Sequence, residues 1–265
     1  MDSSHPPVVL SISGFDPSSG AGITADIKTI AGHGCFGVSC ATALTVQNTS
    51  GVSRVVPVDA DVIRETLRSL ASDMPIAGVR VGMLGSAAAA NATADFLSKL
   101  KGVTVVLDPI LKSSFGADLL DKSGVEVMKK RLFPAATVIT PNLSEAEELT
   151  GLKVQSLGEM RAAAPILQKM GARNVVITGG HLPSSTDFVR LESGAEHEIA
   201  GRTVESRSTH GTGCAFATAM ACNLARGMEV LDAASAAKEY VALAIERAYP
   251  IGKGIGPIHH LFRLG

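Results

Sequence analysis

The residues best suited to chemistry lie in a hexapeptide at 209–214, Thr-His-Gly-Thr-Gly-Cys, which precedes an alanine-rich apolar run at 215–225 that is typical of a helix. Glycines and threonines before a helix leave backbone N–H groups without partners, and the helix dipole favours negative charge at the same place. The hexapeptide therefore predicts an anion hole. The same field is expected to lower the pKa of the Cys214 thiol and to favour its thiolate. A turn that only starts a helix, with a buried cysteine behind it, is the alternative interpretation.

A cysteine beside an anion hole also suits acyl transfer, in which the sulfur attacks and backbone amides stabilise the oxyanion. His210 is then the candidate base. No carboxylate or asparagine is identifiable in the sequence as the third member of such a site. The Gly-Ala-Gly loop at 20–22 lacks both the Walker spacing with its lysine and the full GxGxxG pattern, so a dinucleotide site is not favoured there.

The composition argues against several classes of protein. Among 265 residues, 24 Lys and Arg face 25 Asp and Glu, so a formal net charge of −1 predicts no bulk attraction to nucleic acid or to an anionic membrane. No tryptophan and 4% aromatic residues disfavour stacking platforms for single-stranded nucleic acid. The apolar runs fall short of the ~20 residues of a membrane span. Four cysteines without a CxxC pair favour reduced thiols, and we expect a cytoplasmic protein without leader or anchor.

The elements that must position these residues alternate between strands and helices. A short apolar strand at 8–13 runs into the glycine loop, after which isoleucines recur at helical spacing over 23–30. Further strands are predicted at 38–46, 79–84, 103–107, 137–140 and 175–178. Further helices are predicted at 59–71, 86–100, 124–132, 155–169, 215–225 and 231–248. Because a short antiparallel run at 187–191, 196–199 and 203–208 follows the alternation, we expect one doubly wound α/β domain over 1–265.

Polar residues follow three of the predicted strands, at the ends where parallel sheets bind ligands. Gln47 lies just past the second strand, Asp108 past the fourth and Asn142 past the fifth. Together with the glycine loop and the anion hole, they predict an anionic ligand that faces a small neutral one. The stretch at 112–118 has the composition of a loop that closes over a ligand, and an ordinary exposed connection is the alternative.

Seven short motifs, in this order, give the chain a resemblance that extends from residue 8 to about residue 260. They are Gly-Ala-Gly-Ile-Thr-Ala-Asp at 20–26, Thr-Val-Gln-Asn-Thr at 45–49, Gly-Met-Leu at 82–84, Thr-Pro-Asn-Leu-Ser-Glu at 140–145, Gly-Gly-His at 179–181, the hexapeptide, and Gly-Ile-Gly-Pro-Ile-His-His at 254–260. In these motifs the chain resembles the hydroxymethylpyrimidine/phosphomethylpyrimidine kinases of thiamine biosynthesis. The resemblance implies a ribokinase-like three-layer α/β/α fold, with a mostly parallel central sheet and an antiparallel edge.

The resemblance also implies phosphoryl transfer from ATP, with Mg²⁺, to the hydroxymethyl group of 4-amino-5-hydroxymethyl-2-methylpyrimidine, and a second transfer onto the monophosphate. Gly211, Thr212 and Gly213 would then hold the transferred phosphoryl group. Most ribokinase-like enzymes have an aspartate where this chain and the pyrimidine kinases have Cys214. As a thiolate, Cys214 would accept the proton of the substrate hydroxyl, and as a thiol it would only orient that hydroxyl. A homodimer is implied as well.

By the same resemblance, three further groups of residues contact ligands. The pyrimidine would be hydrogen-bonded by Asp26 and Gln47, covered on its flat faces by Met83 and Ile110, and lined by Gly14. The residues matched to the nucleotide site are Asn142, Thr178, Gly180, Thr209 and Lys238, and those matched to the Mg²⁺ site are Asp108, Asn142 and Glu145. Ordinary structural roles are the alternative: core packing for Met83 and Ile110, a solvated helix charge for Asp26, and a first-turn helix charge for Glu145.

The sequence departs from the family pattern at two places. The loop at 14–20 contains a phenylalanine and a proline where many relatives have a serine-rich stretch, so substrate entry is expected to differ. Thr178 replaces the lysine of a Lys-Gly-Gly-His motif, which removes a fixed positive charge near the nucleotide phosphates. A pyridoxal kinase of the same superfamily and a non-catalytic pyrimidine-sensing module stay open as alternatives. Retention of Cys214, Asn142 and Glu145 favours an enzyme, because binding alone needs neither a metal nor a proton acceptor.

Overall fold

A computed structural model describes residues 5–113, 116, 118–180 and 182–264. Ser114, Phe115 and Ala117 of the predicted closing loop, and His181 of the Gly-Gly-His motif, lie outside the described residues. The strands in the described part are β1 Val8–Phe15, β2 Phe36–Asn48, β3 Gly51–Pro57, β4 Ile76–Val81, β5 Thr104–Leu107, β6 Val138–Ile139, β7 Asn174–Ile177, β8 Asp187–Arg190 and β9 Glu196–Ile199. They form one sheet in the order β3-β2-β1-β4-β5-β6-β7-β8-β9.

The centre of the sheet is parallel and both of its edges are antiparallel. β2, β1, β4, β5, β6 and β7 pair in parallel, whereas β3 is antiparallel to β2, and β8 and β9 are each antiparallel to the strand before. The predicted mostly parallel sheet with an antiparallel edge is confirmed, and β3 adds a second such edge. The strand predicted at 203–208 is wrong, because these residues form no strand.

β3 changes the position of Gln47. The prediction ended the second strand at residue 46, but β2 continues to Asn48 because β3 pairs with its last residues, including Gln47 with Val52. Gln47 therefore lies within a strand and not just past one. β3 was not predicted from the sequence. Most of its side chains are exposed, so its sequence shows little apolar periodicity.

The helices lie between the strands, as the alternating pattern predicts. They are α1 Gly22–Gly32, α2 Ala60–Asp73, α3 Ala87–Leu97, α4 Lys122–Val127, α5 Leu143–Thr150, α6 Leu157–Lys169, α7 Thr212–Ala225 and α8 Val230–Glu246. The single helix predicted at 124–132 is α4 followed by a π-helical turn at Met128–Leu132. No helix in the described ranges combines the length and apolar character that crossing a membrane requires.

Side chains of the central strands alternate between two apolar layers. In β1, Leu10 and Ile12 pack in the layer that contains α2, α3, α5 and α6, while Val9 packs in the layer that contains α1, α7 and α8. Successive residues of a strand point to opposite faces, so a continuous apolar run covers both. This alternation produces the three-layer α/β/α arrangement and brings the N-terminus of α7 to the edge of the sheet where the parallel strands end.

Candidate active site

A cavity of about 1100 Å³ lies at the carboxyl ends of the parallel strands and at the N-terminus of α7. The site residues predicted from the sequence line it together, with one exception, Asp26. Those that line it are Gly14, Gln47, Met83, Asp108, Ile110, Asn142, Glu145, Thr178, Gly180, Thr209, Gly211, Thr212, Gly213, Cys214 and Lys238. The structure therefore brings residues from most of the length of the chain to one place.

The first turn of α7 lies where the sequence predicts the anion hole. Gly211 is the N-cap, in a left-handed conformation with φ 85°, and no side chain of the described residues caps the helix. A Cβ on Gly211 would lie 1.8 Å from the carbonyl oxygen of Gly20, so the glycine loop packs directly on the helix start. Gly213 is different, because a Cβ there would meet no described atom within 4 Å. The amides of this turn and the helix dipole favour an anion in the cavity.

Cys214 lies in this first turn, but its thiol does not behave as the sequence predicted. The side chain is buried, and burial raises the pKa of the Cys214 thiol to about 11. The Arg80 guanidinium and the backbone N–H of Gly22 act in the opposite direction, while the charges of Asp108 and Asp26 add to the rise. The prediction of a lowered pKa is therefore wrong, because loss of solvation outweighs the effects of Arg80 and the Gly22 N–H. At neutral pH the unliganded protein holds a thiol.

Arg80 on β4 lies at the centre of a buried charge network beneath the cavity. Its Nη1 donates to Ser13 Oγ at 2.9 Å and to Asp26 Oδ2 at 3.2 Å, and its Nη2 donates to Asp108 Oδ2 at 2.8 Å. Burial raises the pKa of both carboxyl groups, to about 6 for Asp108, and the guanidinium opposes this rise. Asp26 also accepts from Thr218, whose hydroxyl lies 2.7 Å from the carbonyl oxygen of Cys214.

The position of Asp26 corrects two interpretations made from the sequence. Asp26 is 0% exposed, so it is not a solvated helix charge. It lies outside the cavity lining, and both carboxylate oxygens are occupied by Arg80, Thr218 and Ser11, the last at 2.6 Å. A direct hydrogen bond from Asp26 to a ligand is thus not available in this geometry. Sequence reasoning missed Arg80, although an arginine within the apolar Val-Arg-Val of a central strand was the signal.

Asn142 and Glu145 form a capping box at the start of α5. Asn142 Oδ1 accepts from the N–H of Glu145, and Glu145 Oε2 accepts from the N–H of Asn142, both at 2.9 Å. The structural role of Glu145 in the first turn of α5 is therefore confirmed, as a helix cap. Burial, and then the nearby charge of Asp108, raise the pKa of Glu145 well above its ordinary value. Two buried carboxyl groups that line one cavity, both with a raised pKa, favour a cation beside them.

Another wall of the cavity carries Lys238, whose side chain is already paired with a carboxylate. Lys238 Nζ on α8 lies 2.8 Å from Asp187 Oδ1, and the same oxygen accepts from the N–H of Gly179. Thr178 precedes this glycine at the end of β7, and its backbone N–H donates to Pro141 O beside Asn142. The wall thus places the side chain of Lys238 and the backbone of Gly180 where a polyanion can approach.

A further wall of the cavity combines an apolar cluster with a polar one. Met83 and Ile110 pack with Ala43 and Leu119, and a Cβ on Gly14 would lie 2.8 Å from the sulfur of Met83. Core packing is therefore confirmed for both, although both also line the cavity. In the polar cluster, Gln47 lies next to His210, which is hydrogen-bonded to Asp16.

A family model described as phosphomethylpyrimidine kinase matches residues 16–259. The chain belongs to this family. A hydroxymethylpyrimidine/phosphomethylpyrimidine kinase from Streptomyces coelicolor is 41% identical over 260 residues, which cover 98% of this chain and 96% of that protein. The thiamine biosynthesis bifunctional protein ThiED from Geobacter sulfurreducens is 43% identical over 96% of this chain, which spans only 52% of that protein. The family predicted from the motifs is confirmed.

Solved structures of two kinases share the fold. An ADP complex of Bacillus subtilis pyridoxal kinase has a TM-score of 0.88 and 31% identity, and the match covers 98% of this chain and 100% of that chain. A phosphomethylpyrimidine kinase from Clostridium difficile 630 has a TM-score of 0.79 and 32% identity, with 90% and 99% covered. The ribokinase-like fold is confirmed, and it accommodates kinases named for two different substrates. The family membership, and not the fold, favours the pyrimidine.

Proposed function

We propose that this protein transfers a phosphoryl group from ATP to 4-amino-5-hydroxymethyl-2-methylpyrimidine, and then a second one to the monophosphate, in thiamine biosynthesis. The observation that carries the proposal is the meeting of the anion hole, Cys214 and the carboxyl groups of Asp108 and Glu145 in one cavity. Phosphoryl transfer needs this combination of an anion cradle, a group that faces the attacking hydroxyl and ligands for a cation. Family membership and the names of the relatives support the same substrate.

The anion hole and Cys214 have separate tasks in this mechanism. The amides of Thr212, Gly213 and Cys214 stabilise the negative charge on the equatorial oxygens of the transferred group. Because burial raises the pKa of the Cys214 thiol to about 11, the free enzyme holds a thiol that orients the substrate hydroxyl. Transfer of the hydroxyl proton to sulfur needs the thiolate, which the charge of Arg80 favours.

The proposed Mg²⁺ site consists of Asp108, Asn142 and Glu145. The residues fit this cation, because it prefers oxygen ligands and keeps several waters, and because a cation relieves the repulsion between two buried carboxylates. Within the described ranges no group of three or more His, Cys, Asp and Glu side chains is placed to hold a metal alone, which agrees with a cation held jointly with nucleotide phosphates. When bound, Mg²⁺ would neutralise charge on the phosphates. The nucleotide would extend towards Thr178 and Lys238.

The substitutions Gly213→Ala and Gly211→Ala are expected to affect different properties of the protein, turnover in the first and stability in the second. Gly213→Ala is expected to fold normally, since the new methyl group meets no described atom within 4 Å, but to lower kcat about 10²-fold by displacing the phosphoryl group. Gly211→Ala is expected to cost about 1–3 kcal/mol of stability, because φ is 85° there and the methyl group would contact Gly20. Thermal unfolding and steady-state kinetics measure both. Wild-type turnover by Gly213→Ala would place the phosphoryl group elsewhere.

Thr178→Lys restores the charge that the family motif has at this position. We expect the variant to change the KM for ATP by about tenfold, the size of one charge-assisted hydrogen bond, and to leave the KM for the pyrimidine nearly unchanged. Thr178→Val, which adds no charge and has a similar size, is the control. Steady-state kinetics with each substrate varied in turn gives both constants. Equal changes in the two constants would refute the placement of the nucleotide on this wall.

Other activities have less support from the geometry. In the acyl-transfer hypothesis His210 activates Cys214, but His210 Nε2 is paired with Asp16, and no hydrogen bond between His210 and Cys214 is found in the part of the chain that the structure describes.

A pyridoxal kinase stays the second candidate because of the 0.88 TM-score. Thermal shift with the two alcohols separates these substrates, and a sensing module would bind the pyrimidine without ADP formation.

We also propose a cytoplasmic homodimer. The four cysteines Cys35, Cys40, Cys214 and Cys222 are free, which agrees with a reducing compartment. β2 and its edge partner β3 expose four apolar side chains, Phe36, Leu44, Val46 and Val56, between 38% and 56% of each residue. Exposed apolar side chains on the last two strands of a sheet suit contact with a second copy of the chain. Light scattering after size exclusion tests the oligomeric state.

A further inference from the structure

His210 belongs to the hexapeptide, but the proposed mechanism gives it no task. The side chain is 7% exposed and lines the cavity. Its Nε2 lies 2.9 Å from Asp16 Oδ2 and 3.3 Å from Gln47 Nε2. Its Nδ1 is buried, with no hydrogen-bond partner among the described residues. The ring therefore joins the loop after β1 to the end of β2.

Asp16 decides which nitrogen of His210 carries the hydrogen. The carboxylate accepts from the backbone N–H groups of Ser18 and Ala21 and from the Ser18 hydroxyl, at 2.7–2.9 Å. Burial alone would raise the pKa of Asp16, but the hydrogen bonds from His210, Ser18 and Ala21 prevail and lower it. An ionised carboxylate has only acceptors, so Nε2 of His210 must be the donor.

A donating Nε2 selects one orientation of the Gln47 amide. An NH₂ group facing it would bring two donors together, whereas the amide oxygen accepts the hydrogen that His210 shares with Asp16. At the other end of the amide, Gln47 Oε1 lies 3.1 Å from Thr45 Oγ1, which is 2.9 Å from the carbonyl oxygen of Phe15. When the Thr45 hydroxyl donates its single hydrogen to that carbonyl, its lone pairs suit an NH₂ group and not the amide oxygen. Both contacts are therefore satisfied when the oxygen and nitrogen of the Gln47 amide exchange places, so that the oxygen faces His210.

Two other segments hold the ring of His210 in place. Its backbone N–H donates to the carbonyl of Gly256 at 2.9 Å, and its carbonyl accepts from the N–H of Ile258 at 3.3 Å. On the other side, a Cβ on Gly20 would lie 2.2 Å from Cδ2 of the ring. The C-terminal motif at 254–260 therefore acts on the cavity through the position of His210.

We propose that His210 is a specificity-positioning residue, which locks the Gln47 amide between Asp16 and Thr45 so that the cavity offers one acceptor beside one donor in a fixed order. The inference rests on the proposed function, because the edge that matches this order is that of an aminopyrimidine. Its amino group donates to the amide oxygen, and the neighbouring ring nitrogen accepts from the amide NH₂. The 4-oxo analogue carries a carbonyl beside an N–H group, which is the reverse order, and meets the locked amide with like groups.

The test compares the 4-amino substrate with its 4-oxo analogue in wild type and in His210→Leu. Without the imidazole the amide is free to turn, so the ratio of kcat/KM for the two pyrimidines is expected to fall by about tenfold, the value of one hydrogen bond. The KM for ATP is expected to stay unchanged. His210→Gln, whose amide can supply an N–H group near the position of Nε2, is expected to restore part of the ratio.

The inference would be overturned if the ratio of kcat/KM for the two pyrimidines in His210→Leu equals that of the wild type. This includes the case in which both kcat/KM values fall by the same factor. If thermal unfolding shows that His210→Leu does not fold, Thr45→Val provides the same test, because it removes the acceptor at the other end of the Gln47 amide. Absence of turnover in the wild type would contradict the proposed function alone. Calorimetric binding of the two pyrimidines would then still measure the ratio in each variant.

Discussion

Arg80→Met is expected to lower the free energy of unfolding by about 3–5 kcal/mol at neutral pH. Arg80 is 0% exposed and is paired with Asp26 and Asp108, both of them buried. Methionine fills much of the same volume but leaves two carboxyl groups without a countercharge in a site that solvates them poorly. Urea denaturation followed by circular dichroism measures the difference.

The control for Arg80 is an arginine whose ion pair lies at the surface. Arg131 contacts Asp95 at 2.7 Å, and both side chains are more than 40% exposed. Arg131→Met is therefore expected to cost less than about 1 kcal/mol. An Arg80→Met variant as stable as this control would show that the buried network contributes little.

The loss of stability in Arg80→Met is also expected to depend on pH. Burial already raises the pKa of Asp26 and Asp108 in the folded protein, and removing the guanidinium raises both further. The folded variant then binds protons that the unfolded chain has released, so its stability increases as the pH falls towards about 4. The deficit relative to wild type should be largest at pH 7 and shrink on acidification. A deficit that grows on acidification would contradict the assigned charges.

Cys214→Ala is expected to lower kcat about 10²- to 10⁴-fold, which is the usual contribution of a group that positions or accepts a proton. The KM for ATP should change little, because the amides of the first turn of α7 and the wall around Lys238 are retained. Cys222→Ala is the matched control, since Cys222 lies two turns later in the same helix and is fully buried away from the cavity lining. Its kcat should match that of the wild type.

A second variant distinguishes the two roles left open for Cys214, which are to accept the proton of the substrate hydroxyl or only to orient that hydroxyl. Cys214→Ser keeps a group that can orient the substrate hydroxyl but is a far weaker acid than a thiol. Partial activity in Cys214→Ser is therefore expected if orientation dominates, and near-complete loss if the thiolate accepts the proton. Full activity in Cys214→Ala, measured beside Cys222→Ala, would leave Cys214 as a spacer and would contradict both roles.

Much of the fold follows from local patterns in the sequence. The alternation of apolar residues in β1 predicts a strand with two buried faces, and the glycine-rich starts of α1 and α7 predict where backbone amides meet a ligand. Asp108 and Asn142 could be placed in the site because both directly follow parallel strands. The short motifs then identified the family, because they combine these positions in a fixed order.

What the sequence could not supply is the balance between long-range effects. The pKa of Cys214 depends on burial, which raises it, and on Arg80 and the Gly22 N–H, which lower it, and only the folded structure shows that burial prevails. Asp26 and Arg80 are 54 residues apart in the chain, so nothing local indicates that they pair and that Asp26 lies beneath the cavity. β3 was missed for a similar reason, because an exposed edge strand is defined by the strand it pairs with.

The most direct test of the proposed function is an assay of ADP formation with Mg·ATP and 4-amino-5-hydroxymethyl-2-methylpyrimidine, run beside pyridoxal, with mass detection of the products. We predict ADP formation with the pyrimidine, together with its monophosphate and then its diphosphate. The monophosphate alone would remove the second transfer but keep the first. Pyridoxal phosphate as the sole product, or pyrimidine binding without any ADP, would contradict the assignment.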